Sequence, residues 1–162
     1  MDQQHGQSAF HLRPALVDDI PFIQSLAPRF AQVGTPAWRD SEQMWQFHQR
    51  CTHEVGTAIT NPDDLVLIAE DMQERRLGFL HVTTVADFFT GEPQGYVSDV
   101  AVSEQAEGKG VARTLIEHAQ AWARERGLRI LALDVFAFNT HARAFYQGLG
   151  FVEETLKLIK EL

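Results

Sequence analysis

With a single cysteine in 162 residues, Cys51 has no partner for an intramolecular disulfide, which excludes a cross-linked small-domain scaffold. Cys51 shares a helical face with Met44, His48 and Val55, so it is expected to be a core thiol rather than a nucleophile. Basic charge is also scarce: 14 Lys and Arg stand against 22 Asp and Glu, a formal net charge of −8. Nucleic-acid binding needs a basic stripe that displaces counterions from phosphates, so that class is excluded and a cationic partner is slightly favoured. Long apolar runs are missing as well. The longest are strand-length, no cationic segment leads into an apolar one at the start, and Met1 to Ser8 reads as a polar tail. The expectation is a cytoplasmic protein, neither exported nor membrane-spanning. The seven His residues lack paired ligand spacing, His48 and His53 being five apart, so no metal is expected. Repeats and low-complexity runs are absent, and no G-x-x-x-x-G-K-[ST] sequence marks a Walker-type site.

What is present is apolar mass: 44% hydrophobic residues with 11 Phe and 3 Trp, enough for one core. One domain over residues 9–162 is predicted. Phe10 to Pro14 reads as a strand, and Asp18-Asp19-Ile20-Pro21 starts a helix carrying Ile20, Ile23, Leu26, Ala27 and Phe30, with Pro28 set to kink or end it. After a loop over Ala31 to Ala37, Asp40 or Ser41 caps a second helix reaching about Val55. Leu65 to Ala69 and Leu77 to Val85 are strand patterns joined by a polar hairpin connection, and Ala86 to Gly95 is a loop. Tyr96 to Val102 is a strand, Val111 to Arg126 an amphipathic helix closed by Gly127, and Arg129 to Val135 a further strand. This βαβ unit requires a parallel strand pair. Asn139 to Gln147 is a last helix and Phe151 to Glu161 a last extended segment. The order β-α-α-β-β-β-α-β-α-β is an α/β fold, a mixed sheet with helices on both faces.

Glu107-Gly108-Lys109-Gly110-Val111-Ala112 joins strand to helix inside that unit. Lacking Cβ atoms, Gly108 and Gly110 let the chain turn sharply and aim the free amides of the helix's first turn at an anion. The alternative is a tight turn and nothing more. A dinucleotide fold is disfavoured, because Arg113 stands where the third glycine of G-x-G-x-x-G belongs and Asp134 is farther along than the roughly 20 residues required.

Three stretches together resemble the GNAT superfamily of acetyl-CoA-dependent N-acyltransferases. They are Val97 to Val102 with the glycine turn, Asn139 with Ala142, Ala144, Phe145 and Tyr146, and Leu149-Gly150-Phe151. Leu12-Arg13-Pro14-Ala15 and Asp18-Asp19-Ile20-Pro21 are similar to that family's opening strand and first helix. The resemblance implies the GNAT fold: a mostly antiparallel sheet with one parallel, splayed strand pair. It also implies acetyl-CoA as cofactor and direct transfer to a primary amine of a small molecule or peptide. The diphosphate would sit on Glu107, Gly108, Lys109, Gly110, Val111, Ala112 and Arg113. The pantetheine arm would run along Val100, Ala101 and Val102, with Asn139, Ala142, Phe145 and Tyr146 contributing from the last helix. The family's turn usually begins with Arg or Gln, so Glu107 is a departure and is expected to point to solvent.

By the same resemblance Tyr146 occupies the position of the acid that serves the departing thiolate. The residue itself has the alternative reading of a core aromatic, since Ala142, Phe145 and Leu149 share its face. A base is needed because an alkylamine is neutral in only about one molecule in 2,500 at pH 7. Asp99 is one candidate, and Ser98 and His81 relaying through water are others; Asp99 also reads as a strand carboxylate bonded to backbone. Asn139 has the ordinary reading of a helix cap. Trp38, Phe88 and Phe89 either line an acceptor pocket or pack. A terminal strand over Thr155 to Lys160 at a sheet edge makes a homodimer an expectation. The rival function is a non-catalytic acyl-CoA-binding sensor of the same fold.

Overall fold

The computed structural model describes residues 9–162, so the expected tail over residues 1–8 lies outside the described residues. Among the described residues five strands form one sheet in the order β1-β2-β3-β4-β5. β1 (Phe10–Pro14), β2 (Leu65–Asp71), β3 (Arg76–Ala86) and β4 (Pro93–Val102) pair antiparallel in succession, and β5 (Leu131–Ala132) joins β4 in parallel. The mixed sheet and its single parallel pair are as predicted.

Leu65-Val66-Leu67-Ile68-Ala69 does not alternate polar and apolar because β2 is covered on both sides. Leu67 and Ala69 pack toward α4 (Val111–Glu125), with Leu80, Val82, Val97, Leu115, Ile116 and Trp122. Val66 and Ile68 face the other way, with Phe79 and Ala101, toward α1 (Ile20–Ser25), α2 (Ala27–Ala31) and α3 (Ser41–Ala58). On the α4 side, Phe145 and Tyr146 of α5 (Thr140–Gln147) complete the first core.

Local signals hold well. The Asp40 carboxylate caps α3 by accepting from the Gln43 amide at 2.9 Å. The predicted first helix divides at Leu26 into α1 and α2, and Pro28 sits in the opening turn of α2, where its missing N–H is harmless. At the sheet's edge, Asp19 is 1% exposed and binds two cations. It accepts from Arg13 at 2.7 and 3.0 Å, from Arg76 at 2.6 Å and from the Leu16 amide at 2.8 Å. Burial by itself would raise the Asp19 pKa. The Arg13 hydrogen bonds, joined by those from Leu16 and Arg76, outweigh it and hold the carboxyl well below the usual carboxylate range.

Two predicted strands need correction. Arg129 to Val135 contracts to the two residues of β5, and Phe151 to Glu161 forms no strand, with Leu156 69% and Leu158 83% exposed. Apolar alternation favours an extended backbone, but a strand also needs a neighbour to supply its ladder, and β5 offers only Leu131 and Ala132. The shortness of β5 leaves β4 with a free edge. Parallel pairing stops at Tyr96 opposite Ala132, and Val97 to Val102 continue with no strand on that side.

Candidate active site

β4 organises the site. Its pairing with β3 runs from Val102 opposite Gly78 to Asp99 opposite His81, then resumes at Val97 opposite Val82. Ser98 is therefore the extra residue of a β-bulge, a device that re-aims neighbouring side chains. Ser98 and Asp99 line a cavity of about 230 Å³ together with Tyr96 and His81, under a roof of Phe47, Cys51 and Glu54 from α3. A larger depression of about 440 Å³ lies between α1–α2 and the end of β4, lined by Phe22, Arg29, Arg76 and Ser103 among others. It is shallow, and none of the predicted catalytic side chains reaches it.

Within the pocket Tyr96 donates to the Asp134 carboxylate at 2.8 Å. Burial first, and then that bond, push the Tyr96 phenol far up, so it stays protonated and ties β4 to the segment after β5. Burial also lowers the pKa of the neighbouring His48, whose ring stacks on Phe30 at 5.7 Å. Cys51, expected in the core, is instead half-buried in the pocket wall. A helical face was the right reading, but that face covers a cavity at this turn of α3. Burial, reinforced by Asp99 and Glu54, pushes its thiol up to about 11. At pH 7.5 iodoacetamide should therefore label Cys51 roughly a hundredfold more slowly than a free cysteine. An intact-mass time course measures this, and labelling at the free-cysteine rate would contradict a buried, protonated thiol.

At the other end of β4, Gly108 and Gly110 have φ of +71° and +80°, a left-handed backbone that side chains resist. A Cβ on either would meet nothing within 4 Å, so the space over the turn is open. Gly110 caps α4 without any side-chain hydrogen bond. The first-turn amides, Val111 to Arg113, have no intrahelical acceptor, and with the helix dipole they suit a diphosphate. Lys109 is exposed beside them, and Arg113 pairs with Glu117 at 3.9 Å. Val111 and Ala101 are buried, so only their backbone could meet a ligand.

Glu107 does not simply face solvent. Arg29 of α2 forms an ion pair with it, reaches Glu104 at 3.4 Å, and donates from Nε to the Val102 carbonyl at 3.1 Å. That carbonyl was one expected partner of the pantetheine arm and is already engaged. Nothing in the sequence flagged Arg29, because Val102, Glu104 and Glu107 lie more than 70 residues away and no spacing rule connects them to it.

On α5 the Asn139 side chain accepts from the Ala142 amide at 3.1 Å, the capping role. Tyr146 is half-buried, edge-to-face with Phe145 at 5.2 Å and Phe151 at 5.7 Å, and burial pushes its phenol up. It packs on the α4 side of the sheet, whereas Ser98, Asp99 and His81 line the α3 side. The free edge of β4 beyond Tyr96 is where the two sides meet. Trp38, Phe88 and Phe89 are 50%, 90% and 63% exposed and do not line the pocket.

A family model described as the acetyltransferase (GNAT) family matches residues 27–151. The chain belongs to the acetyltransferase (GNAT) family. Among curated relatives, an aminoglycoside N(6')-acetyltransferase type 1 from Stenotrophomonas maltophilia is 26% identical over 151 residues, covering 89% of this chain and 94% of the relative. Two solved structures share the fold. The aminoglycoside 6'-N-acetyltransferase AAC(6')-Ih from Acinetobacter baumannii has a TM-score of 0.67 at 22% identity, over 94% of this chain and 98% of the other. AAC(6')-Iy, solved with a bisubstrate analog of CoA and acetylneamine, has a TM-score of 0.68 at 21% identity, with the same coverage. The five-stranded mixed sheet is thus a GNAT fold, and the reaction of this GNAT chain is acetyl transfer to an amine.

Proposed function

We propose that this GNAT enzyme binds acetyl-CoA along the free edge of β4 and passes the acetyl group directly to a primary amine seated in the α3-side pocket. One observation carries this reading: the pocket, the unpaired edge and the open turn follow one another along β4 and the connection beyond it. Their sequence from Gly110 back to Ser98 matches the sequence of diphosphate, arm and thioester in the cofactor. Gly108, Lys109, Gly110, Val111, Ala112 and Arg113 would hold the diphosphate, and backbone of Val100, Ala101 and Val102 the arm, with the Val102 carbonyl left to Arg29. Asn139, Ala142 and Phe145 would flank it from α5. Glu107 is better read as the anchor of Arg29 than as a cofactor contact. When bound, acetyl-CoA supplies the activated acetyl thioester.

The chain's own groups then manage protons. Deprotonating an alkylammonium at pH 7 costs roughly 4–5 kcal/mol, so a base on the pocket wall is required. Asp99 and Ser98, exposed to the cavity by the bulge, are that wall. Tyr146, approaching from the opposite side of the sheet, serves the departing sulfur. Glu54 and Asp99 favour a cationic small-molecule amine over a peptide terminus in a cavity of about 230 Å³, and the named activity of the aminoglycoside-acetylating relative agrees with that choice. A lone thiol suits the reducing cytoplasm, and the exposed apolar residues after Phe151 suit a homodimer contact.

Free-thiol detection with acetyl-CoA and a panel of polyamines, aminoglycosides and amino-acid amides tests the reading. Thiol release that depends on a particular amine is the expected outcome. Tight CoA binding by calorimetry without release across the panel would instead establish an acyl-CoA sensor, and absence of any binding would end both readings.

A further inference from the structure

His81 stands between two carboxylates. Its Nδ1 lies 3.7 Å from Asp99 Oδ2 and its Nε2 lies 3.8 Å from Asp64 Oδ2, and the three side chains are only 12%, 10% and 9% exposed. Among the described residues neither ring nitrogen has a hydrogen-bond partner, and Asp64 Oδ1 has none either. Buried polar groups left unpaired are costly, so three such atoms in one row need an explanation beyond packing. The row has a direction. Asp99 and His81 line the pocket, whereas Asp64 does not; it belongs to the turn before β2, where exposed Asn61 donates to its Oδ2 at 2.9 Å. The inner end thus meets the cavity and the outer end meets the surface. The three side chains do not form a metal-binding group.

We propose that Asp99, His81 and Asp64 form a buried carboxylate–imidazole–carboxylate row that carries a proton of the attacking amine from the pocket to the surface, with Asp64 a positioning residue acting through His81. This rests on the acyl-transfer reading above. As the N–C bond forms and the C–S bond breaks, the three ammonium protons divide among three destinations. One stays on the amide, one ends on the departing sulfur, which Tyr146 hydrogen-bonds, and one leaves through this row. Distances of 3.7 and 3.8 Å exceed hydrogen-bond length, so transfer needs an approach of roughly 1 Å or a bridging water. His81 suits the relay because one ring nitrogen can accept while the other donates. The other titratable groups around it are His48, Cys51 and Glu54 on α3 and Tyr96 on β4, with Arg50 exposed on α3 and Asp134 behind Tyr96.

Steady-state kinetics from pH 5 to 10, with acetyl-CoA and the best amine of the panel, decide the matter on Asp64→Asn and His81→Ala. Asp64→Asn should lower kcat about tenfold with KM for the amine unchanged. The shape of its pH profile should differ from wild type, because the row loses one of its two carboxylates. His81→Ala should lose roughly a hundredfold in kcat/KM and regain part of it with added imidazole. Should His81→Ala fail to fold, the isosteric Asp64→Asn still decides. A pH profile of Asp64→Asn superimposable on wild type, with kcat within twofold, would overturn the relay while leaving acyl transfer intact. Wild-type protein that releases no thiol with any amine would remove both.

Discussion

Tyr146→Phe is expected to lower kcat by about a hundredfold while the Kd for acetyl-CoA stays within twofold. The phenol is half-buried and its pKa is raised by burial, so it is protonated throughout the neutral range. A cysteine-like thiol has a pKa near 8.5, so full proton transfer from a still weaker acid runs uphill. A strong hydrogen bond to the developing thiolate does not. Such a bond forms only as the C–S bond breaks, which is why its loss should appear in turnover and not in cofactor binding. Phe keeps the ring contacts to Phe145 and Phe151, so the fold is spared. Turnover and calorimetry on the same preparation measure both quantities. Unchanged kcat would remove Tyr146 from the chemistry and leave it as the aromatic packing residue its neighbours also allow.

The second large effect is on stability. Asp19→Asn should destabilise the protein by roughly 3 kcal/mol, because Arg13 and Arg76 lose a buried shared counter-charge. At this chain length that corresponds to a fall in Tm of about 6–12 °C. The pH dependence has a definite sign. A carboxyl held below its ordinary value stabilises the folded state fully above the unfolded pKa of about 3.9 and loses that contribution as pH falls toward its depressed folded value. The wild-type advantage over Asp19→Asn should therefore be constant above about pH 5 and shrink below about pH 4. Thermal unfolding from pH 3 to 8 checks this. Because neither Asp19 nor its partners Arg13, Leu16 and Arg76 line the pocket, kcat at pH 7 should stay within twofold. A Tm difference independent of pH would show that packing, not charge, makes the residue valuable.

The features legible from the sequence share a physical property: they depend on neighbours within about four residues. Asp40 caps α3, the helix expected to kink or end at Pro28 divides at Leu26, and Gly108 and Gly110 adopt the positive φ that a strand-to-helix turn demands. Hydrophobic spacing of 3.6 identified the faces of α4 and α5 for the same reason. Where local signals were read beyond their reach they failed. Alternation over Phe151 to Glu161 describes a backbone preference and says nothing of whether a partner strand is there, and none of the sheet's strands takes it up. The face shared by Cys51 was correctly helical, yet whether that face meets core or cavity depends on what lies across from it.

Taken alone, the sequence determined the family, the glycine turn at Gly108 and Gly110 and the order of the elements as far as α5, and it named Ser98, Asp99 and Tyr146 as candidates, because backbone conformation follows from short-range sterics and spacing. Only tertiary structure decided that Ser98 bulges and His81 falls opposite Asp99. It also brought Asp64 to the far side of that imidazole, joined Arg29 to Glu107, and set Tyr146 across the sheet from the pocket. Those relations depend on strand register and on helices crossing a sheet. One slipped residue reverses which face a side chain occupies, so long-range packing has to select them.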